Sequence, residues 1–536
     1  MRTHRTRILT VALLGPFLLC CCTAPLDAAD YYVSGSAGRD SNPGSAALPW
    51  QTLQSHVASL LPGDTLNILA GMYSGFIVGW DPDGTHGVLS GTATQPIAIQ
   101  AAPGTDGTMV VITTKNNKTQ YAIDLEPGCG YIVLSNLTVD GSSGGFAKYP
   151  NRGGGIKVAA SPGCRIEECR VQNVDYGFGI LADNATNLMV RGNTIRNTGA
   201  HSNGNYGHGL YLSGSTTRAV VEGNTICSNA YIGIHINGDL SEGGLGLVTA
   251  CNIMNNRIFS NGQNAINADG LQGSIIENNV IFNYQNFGIC LYRIDAADGG
   301  KNNVIVNNTI CSGTNAMTGA ALRFLDSSTG NAVFNNVLLS SAGDAYRISG
   351  DSLPGLVSDF NIMDVGARIQ SEEDGSEQSL AQWQAANHDV HSLMSLPDAL
   401  FAEFRASDFH LLKTALAIDT GTPSLEGYSS PAFDCSWAAR PHGTGWDIGA
   451  YESGSPAGSA VTQTLIGISS NPDGDWTIVG AGVPLCSFPV QATTNLQSPS
   501  QWQTLGTAMA GPTGSWQFTD TNRAKLPSRF YRTMFP

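Results

Sequence analysis

An Asn-x-(Ile/Leu) triplet recurs six times along the middle of this chain, at Asn193, Asn224, Asn256, Asn279, Asn308 and Asn336. The gaps are 31, 32, 23, 29 and 28 residues. Self-similarity on that scale marks a solenoid, in which one repeat is one turn that cannot bury its apolar face alone. The turn is too rich in Gly, Asn, Val and Ile to be helical. It reads as short β segments broken by Gly and Asn at corners that need φ > 0. Asn side chains stacked at one corner can hydrogen-bond along the stack, as in other β ladders. The pattern predicts a right-handed parallel β-helix, all-β, whose outward faces are long and flat enough for a polymer to lie on.

Each coil carries a second strand of the type Gly/Ala-Ile/Leu. Ile123, Ile156, Ile180, Leu210, Ile234, Ile266, Ile289 and Leu322 align as its inward residues. Side chains alternate along a strand, so the residue after each points out. That column reads Asp124, Lys157, Leu181, Tyr211, His235, Asn267, Cys290, Arg323. Two residues further, a second column reads Glu126, Ala159, Asp183, Ser213, Asn237, Asp269, Tyr292, Leu325. The position two before the inward residue adds Phe178 and His208. One patch therefore gathers His208, Tyr211, His235, Asn237, Asn267 and Asp269, with Lys157 and Arg323 to either side. Water-facing strands are usually Ser, Thr, Lys or Glu; this run can exchange or orient protons. The bland alternative is that Asn and Asp merely stack and that Tyr and His merely pack.

Loop lengths point to the same face. From the inward residue to the triplet Ile/Leu takes 15 or 16 residues in most coils, but 24 from Ile234 and 21 from Ile289. The extra residues include Asp239, Ser241 and Glu242, then Arg293, Asp295 and Asp298. The segments 142–154, with Lys148 and Arg152, and 197–207, with His201, are also long. Insertions gathered on one face of a solenoid mark a binding side.

The formal charge of −15 argues against nucleic acid as a partner. An anionic substrate would need a local basic patch or a cation such as Ca²⁺, for which Asp239, Glu242 and Asp295 are candidate oxygen ligands. Residues 1–29 read as a secretory signal. Arg2, Arg5 and Arg7 precede an apolar stretch, with Ala28 and Ala29 at a cleavage site. Cys20, Cys21 and Cys22 raise a lipoprotein anchor, but no small residue precedes the first of them. The expectation is a secreted, cell-surface or periplasmic monomer without a transmembrane segment. Of the twelve Cys, nine lie beyond that stretch, an odd number better read as small unpaired core residues than as a disulfide framework.

Ahead of the repeats come Tyr31-Tyr32-Val33-Ser34, Asn42-Pro43-Gly44, and an apolar-periodic stretch from Trp50 to Leu61, expected as a short helix plugging the open end. Behind them come a short helical stretch, Ser379 to Ala385, then Asp408-Phe409-His410-Leu411, Arg440-Pro441 and Asp447-Ile448-Gly449-Ala450-Tyr451-Glu452. Both ends resemble the right-handed parallel β-helix superfamily of secreted bacterial carbohydrate-active proteins, of the pectate and alginate lyase type. The resemblance spans 30–453 and implies a polysaccharide partner. It does not choose a reaction, because that superfamily holds lyases, hydrolases, epimerases and proteins of unknown activity. A Gly/Ser/Pro-rich linker at 454–460 precedes 461–536. There the alternation around Trp476, Phe488, Trp502, Trp516 and Phe530 predicts a small β-sandwich with most of its aromatics inside.

Three readings of the patch compete. In a β-elimination, a base takes the proton α to a uronate carboxylate and an acid assists the leaving oxygen. Tyr211 and His235 are the candidate pair, with Asp269 beside them. Asn237, Asn267, Arg323, Arg293, Lys157 or His208 would bind substrate, and C5-epimerisation needs the same parts. A hydrolase would use two carboxyls, Asp239 and Asp269, with Asp183 or Asp295 as a third. A non-catalytic glycan-binding rod or adhesin needs neither. Elimination is the preferred expectation.

Overall fold

The computed structural model describes residues 28–454 apart from 80–86, 114–119, 144–153, 175–176, 200–206, 313–318 and 341–342. Of the C-terminal region it describes 464–470, 475–481, 487–494, 502–509, 515–521 and 529–533. The leader 1–27, most of the linker, and Lys148, Arg152 and His201 lie outside the described residues.

Three sheets of twelve strands form the rod. One coil shows why. Leu210–Ser213 lies in the sheet that carries the outward columns, Val220–Glu222 in a second sheet and Thr225–Cys227 in a third. The next coil repeats this, every pair parallel, with Leu210 opposite Ile234, Val221 opposite Ile253 and Ile226 opposite Ile258. The inward series from Ile123 to Leu322 is fully buried throughout, each side chain adding about 2–3 kcal/mol of apolar burial.

The corner between the second and third sheets explains the triplet. The residue before each ladder Asn takes a left-handed turn, as at Asn255 (φ 57°), Asn278 (φ 54°) and Asn307 (φ 52°). Asn and Gly tolerate this conformation better than other residues. The turn aims the next Asn into the core corner. There Asn224 Nδ2 donates to Asn256 Oδ1 at 2.9 Å, and Asn256 Nδ2 to Asn279 Oδ1 at 2.9 Å. Each Oδ1 also accepts the backbone N–H of the Asn below it. The second Nδ2 hydrogen meets a backbone carbonyl, as from Asn256 to Val221. The ladder therefore satisfies buried polar groups that the corner would otherwise leave unpaired.

The open ends are closed differently. At the first coil, Trp50, Leu53, Val57 and Leu60 cover the core, but only Val57–Ser59 is helical, as one 3₁₀ turn. The expected capping helix is thus corrected to an irregular plug. Thr52 is tied to Asp40 and Ser59 to the His56 carbonyl, local bonds that compete with helix formation. At the far end, Leu380–Ala385 is α-helical, begun by a Ser379/Gln382 capping box, and buries Leu380 and Trp383.

Residues 397–452 then fold back over the outer face of the third sheet. Leu400, Phe401, Phe409, Ala417, Ile448 and Ala450 cover Val280, Phe282, Cys311, Val337, Leu339 and Ile362. The closing motif anchors this strap. Arg440 donates to Glu452 at 2.6 Å, with both side chains fully buried, and also to Asn278 and the Gly449 carbonyl. The strap thus leaves the column-bearing sheet uncovered. The eight cysteines described in the core and strap are unpaired thiols. Beyond them, two three-stranded antiparallel sheets bring Ile478 and Trp516 against Val490 and Ala508, a small sandwich. Trp516 belongs to its interior, and Trp502 lies under Arg532.

Candidate functional site

Strand pairing puts the outward columns in the expected register. Asp124, Lys157, Leu181, Tyr211, His235, Asn267, Cys290 and Arg323 stand opposite one another from rung to rung. Beside them run Ala159, Asp183, Ser213, Asn237, Asp269 and Tyr292. Rungs are about 4.8 Å apart, so the columns are long polar stripes along the rod. They floor an open cleft of about 830 Å³.

The long loops wall this cleft and hold each other. Leu240 N–H donates to the Asp295 carbonyl at 3.3 Å and Ala297 N–H to the Gly246 carbonyl at 3.0 Å. Asp239 caps the turn Leu240–Glu242 by accepting from Ser241 N–H. Phe178 and Tyr231 flank the floor from the near side, with Phe178 stacked on His208 at 5.3 Å.

Tyr211 and His235 are half-buried, their rings parallel to within 7° and 4.8 Å apart. Asn237 Nδ2 donates to Tyr211 Oη at 3.0 Å, so the phenolic hydrogen remains for another acceptor. His208 Nε2 lies 3.1 Å from His235 Nδ1, which fixes the ring plane and leaves Nε2 as its outer nitrogen. Tyr292 Oη is 3.4 Å from that Nε2. A directed chain holds Tyr292: Phe287 N–H donates to Asn264 Oδ1, Asn264 Nδ2 to Asn267 Oδ1, and Asn267 Nδ2 to Tyr292 Oη at 2.6 Å.

Burial sets the protonation states. It pushes His235 down to about 3, and it holds His208 well below the imidazole range, with His235 adding to the effect. Both rings are neutral at pH 7. Burial raises Tyr211 and Tyr292 above the ordinary phenol range, so both keep their protons. A neutral base thus stands one rung from a protonated acid.

The remaining candidates divide. Lys157 lines the cleft, 3.8 Å from Asp124. Burial raises that carboxyl to about 7 against the opposing pull of Lys157. His208 is 2% exposed, borders the cleft and supports His235 through its Nε2. Asn237 and Asn267 spend their amides on Tyr211 and Tyr292. Asp269 is 1% exposed, and its oxygens accept from the backbone N–H groups of Ile294 and Asp295. These bonds hold the loop in place, and Asp269 also lines the cleft. Arg323 is corrected. It lies three rungs from His235, bonded to Glu372 at 2.7 and 3.0 Å and resting on Phe287. Arg293 is exposed and lies outside the cleft lining. The candidate calcium set does not converge. Asp239 is a turn cap, Glu242 bonds to Ser213, and no three metal-ligating side chains cluster among the described residues.

Asp183 and Glu242 lie 59 residues apart in the sequence and meet only in the fold. Ser213 Oγ bridges the two, 3.4 Å from Asp183 and 3.1 Å from Glu242. Burial and then the Asp183 charge raise Glu242 to about 7. Tyr292 was one member of a column, and its diagonal reach to His235 carried no sequence signal.

No helix among the described residues is long and apolar enough to cross a membrane. The family described as right handed beta helix region matches residues 95–239 and 198–353. No curated protein matches this sequence. Among solved structures, pectate lyase Pel9A superposes with a TM-score of 0.54 at 16% identity, over 79% of this chain and 96% of that one. A rhamnogalacturonan lyase gives 0.43 at 17% identity, over 65% and 89%. The mannuronan C-5 epimerase AlgE4 A-module of Azotobacter vinelandii gives 0.43 at 13%, over 62% and 86%. With three stacked parallel sheets, the inward ladder and the family match in agreement, this chain is a right-handed parallel β-helix protein.

Proposed function

We propose that the protein is a polysaccharide-active enzyme that cleaves a uronate-containing glycan by β-elimination. One observation carries the reading: a neutral His235 stacked against a protonated Tyr211 on the floor of an open cleft. Elimination needs a base and an acid at once, and neighbouring rungs set an imidazole beside a phenol. The cleft follows the rungs, so a chain of sugars can lie along it. A pectate lyase among the structures of this fold fits that use of the face. His235 Nε2 takes the proton α to the carboxylate, and Tyr211 gives its proton to the departing oxygen. Lys157 meets an acidic sugar further along the chain.

Hydrolysis is the second reading, favoured by the Asp183–Glu242 pair, since a carboxyl raised to about 7 is a competent general acid. Export to the cell exterior suits either reaction. The test is a screen of purified protein against uronate and neutral polysaccharides, with ultraviolet absorbance and reducing ends read together. Elimination raises both signals, because it creates an unsaturated sugar. Reducing ends without absorbance would assign the cleft to hydrolysis.

A further inference from the structure

Tyr211, His235 and Tyr292 leave the same face of one sheet, from rungs in continuous register. The rings of Tyr211 and His235 stack 4.8 Å apart, too close for a sugar ring to pass between them. A glycan lying on this face therefore meets its acid and its base from one side of the sugar ring. The loops that follow the strands of His235 and Tyr292 bring Asp239, Glu242 and Asp295 to the same cleft.

Stereochemistry turns this into a substrate class. Elimination from a 4-linked uronate removes H5 and the oxygen on C4. These lie on the same ring face in gluco- and manno-configured uronates. They lie on opposite faces in galacto- and gulo-configured ones. Resting on the elimination reading above, we infer that the site performs syn-elimination on 4-linked glucuronate or mannuronate polymers and rejects galacturonate and guluronate polymers.

The bonds balance without a further reactant. His235 Nε2 takes H5 as a proton, and the C5–H electron pair becomes the C4=C5 double bond. The C4–O bond breaks with its pair on oxygen, which receives the Tyr211 phenolic proton. One product ends in a 4,5-unsaturated uronate and the other in a new reducing end. The imidazolium then returns its proton to the phenolate one rung away, directly or through water.

The test compares four polymers on the full-length wild-type protein: poly-mannuronate, poly-glucuronate, poly-guluronate and poly-galacturonate. Initial rates are followed by ultraviolet absorbance and by reducing ends. The expected result is a kcat/KM at least about 100-fold higher on one or both of the first two, since a misplaced acid forfeits a factor of that order. Unreacted polymer recovered and examined by NMR should contain no C5-inverted residues. Faster elimination on guluronate or galacturonate would overturn the one-sided geometry, with a protonated Glu242 the competing acid, and leave the elimination reading standing. C5 inversion would also overturn that geometry, because it requires a proton from the opposite face. Reducing ends without absorbance, or no turnover of any of the four, would overturn both.

Discussion

Tyr211 and His235 occupy directly opposed positions on neighbouring rungs, with parallel rings 4.8 Å apart and separate anchors, Asn237 for the phenol and His208 for the imidazole. The pairing is rigid at both ends. Each ring is held by a side chain that is itself buried. Positioning of this kind is what lets a weak acid and a weak base act together.

Tyr211→Phe removes only the phenolic oxygen and keeps the stack. Its kcat/KM should fall by roughly 10²–10⁴, the usual worth of a positioned general acid or base. His235→Ala should fall by at least as much. Far-ultraviolet circular dichroism should stay unchanged, because both rings lie outside the core ladder. A Phe variant that keeps wild-type turnover removes Tyr211 from the mechanism.

The pH profile separates a buried imidazole from an exposed one. The base works when neutral, so activity is present above its pKa and lost below it. Burial pushes His235 down to about 3. The imidazole should therefore impose no acid limb near its ordinary value of 6.5. Glu242 titrates at about 7, and above that pH the cleft gains a negative charge. An anionic polymer should then bind less well. KM should rise as pH passes from 6 toward 8, roughly a unit either side of that carboxyl, and the rise should disappear in Glu242→Gln. A kcat/KM limb near 6.5 that persists in that variant would place the His235 ring in water.

The ladder predicts where the rod is least tolerant. Asn256→Ala deletes an acceptor shared by the Asn224 N–H and Nδ2, and a donor to both Asn279 and Val221. All these groups are buried, and an unpaired buried polar group costs about 1–3 kcal/mol. The expected loss is at least about 3 kcal/mol, read as a lower urea midpoint. Replacing exposed Arg196 on the outer face of the third sheet by Ala, by contrast, should leave that midpoint near wild type. A neutral effect of Asn256→Ala would mean that water or a shifted backbone replaces the ladder.

Register was legible in the sequence because the rod enforces it. A one-residue slip would turn Ile234 outward and His235 into the core, so the Gly/Ala-Ile/Leu pattern fixes both at once. Tyr211, His235, Asn237 and Lys157 could be placed for that reason. What lies across the rungs could not. Asp269 has the same strand position as Asn237, yet its carboxylate binds a loop returning from 25 residues later. The strap that hides Phe282 and Val337 depends on contacts more than 60 residues apart in sequence, which no local period records. The end plug misled for a related reason. Trp50, Leu53, Val57 and Leu60 have helical spacing, but covering an end needs only their side chains on one side, not a continuous helix.

Asp269 offers the sharpest check on the division between acting and holding. Its carboxylate accepts from Ile294 and Asp295 at 2.7–3.0 Å, and burial raises its pKa against those same bonds. Asp269→Asn keeps the shape but turns an NH₂ group toward backbone donors, so the loop carrying Asp295 should loosen. A loosened wall weakens substrate binding more than it slows proton transfer at Tyr211 and His235, which keep their own anchors. KM should rise by about 10-fold, while kcat falls less than about 10-fold and the pH profile keeps its shape. A group transferring the proton itself would instead cost roughly 10²–10⁴ in kcat and erase one limb of that profile. That second outcome would return Asp269 to the reacting centre and require the loop to find another support.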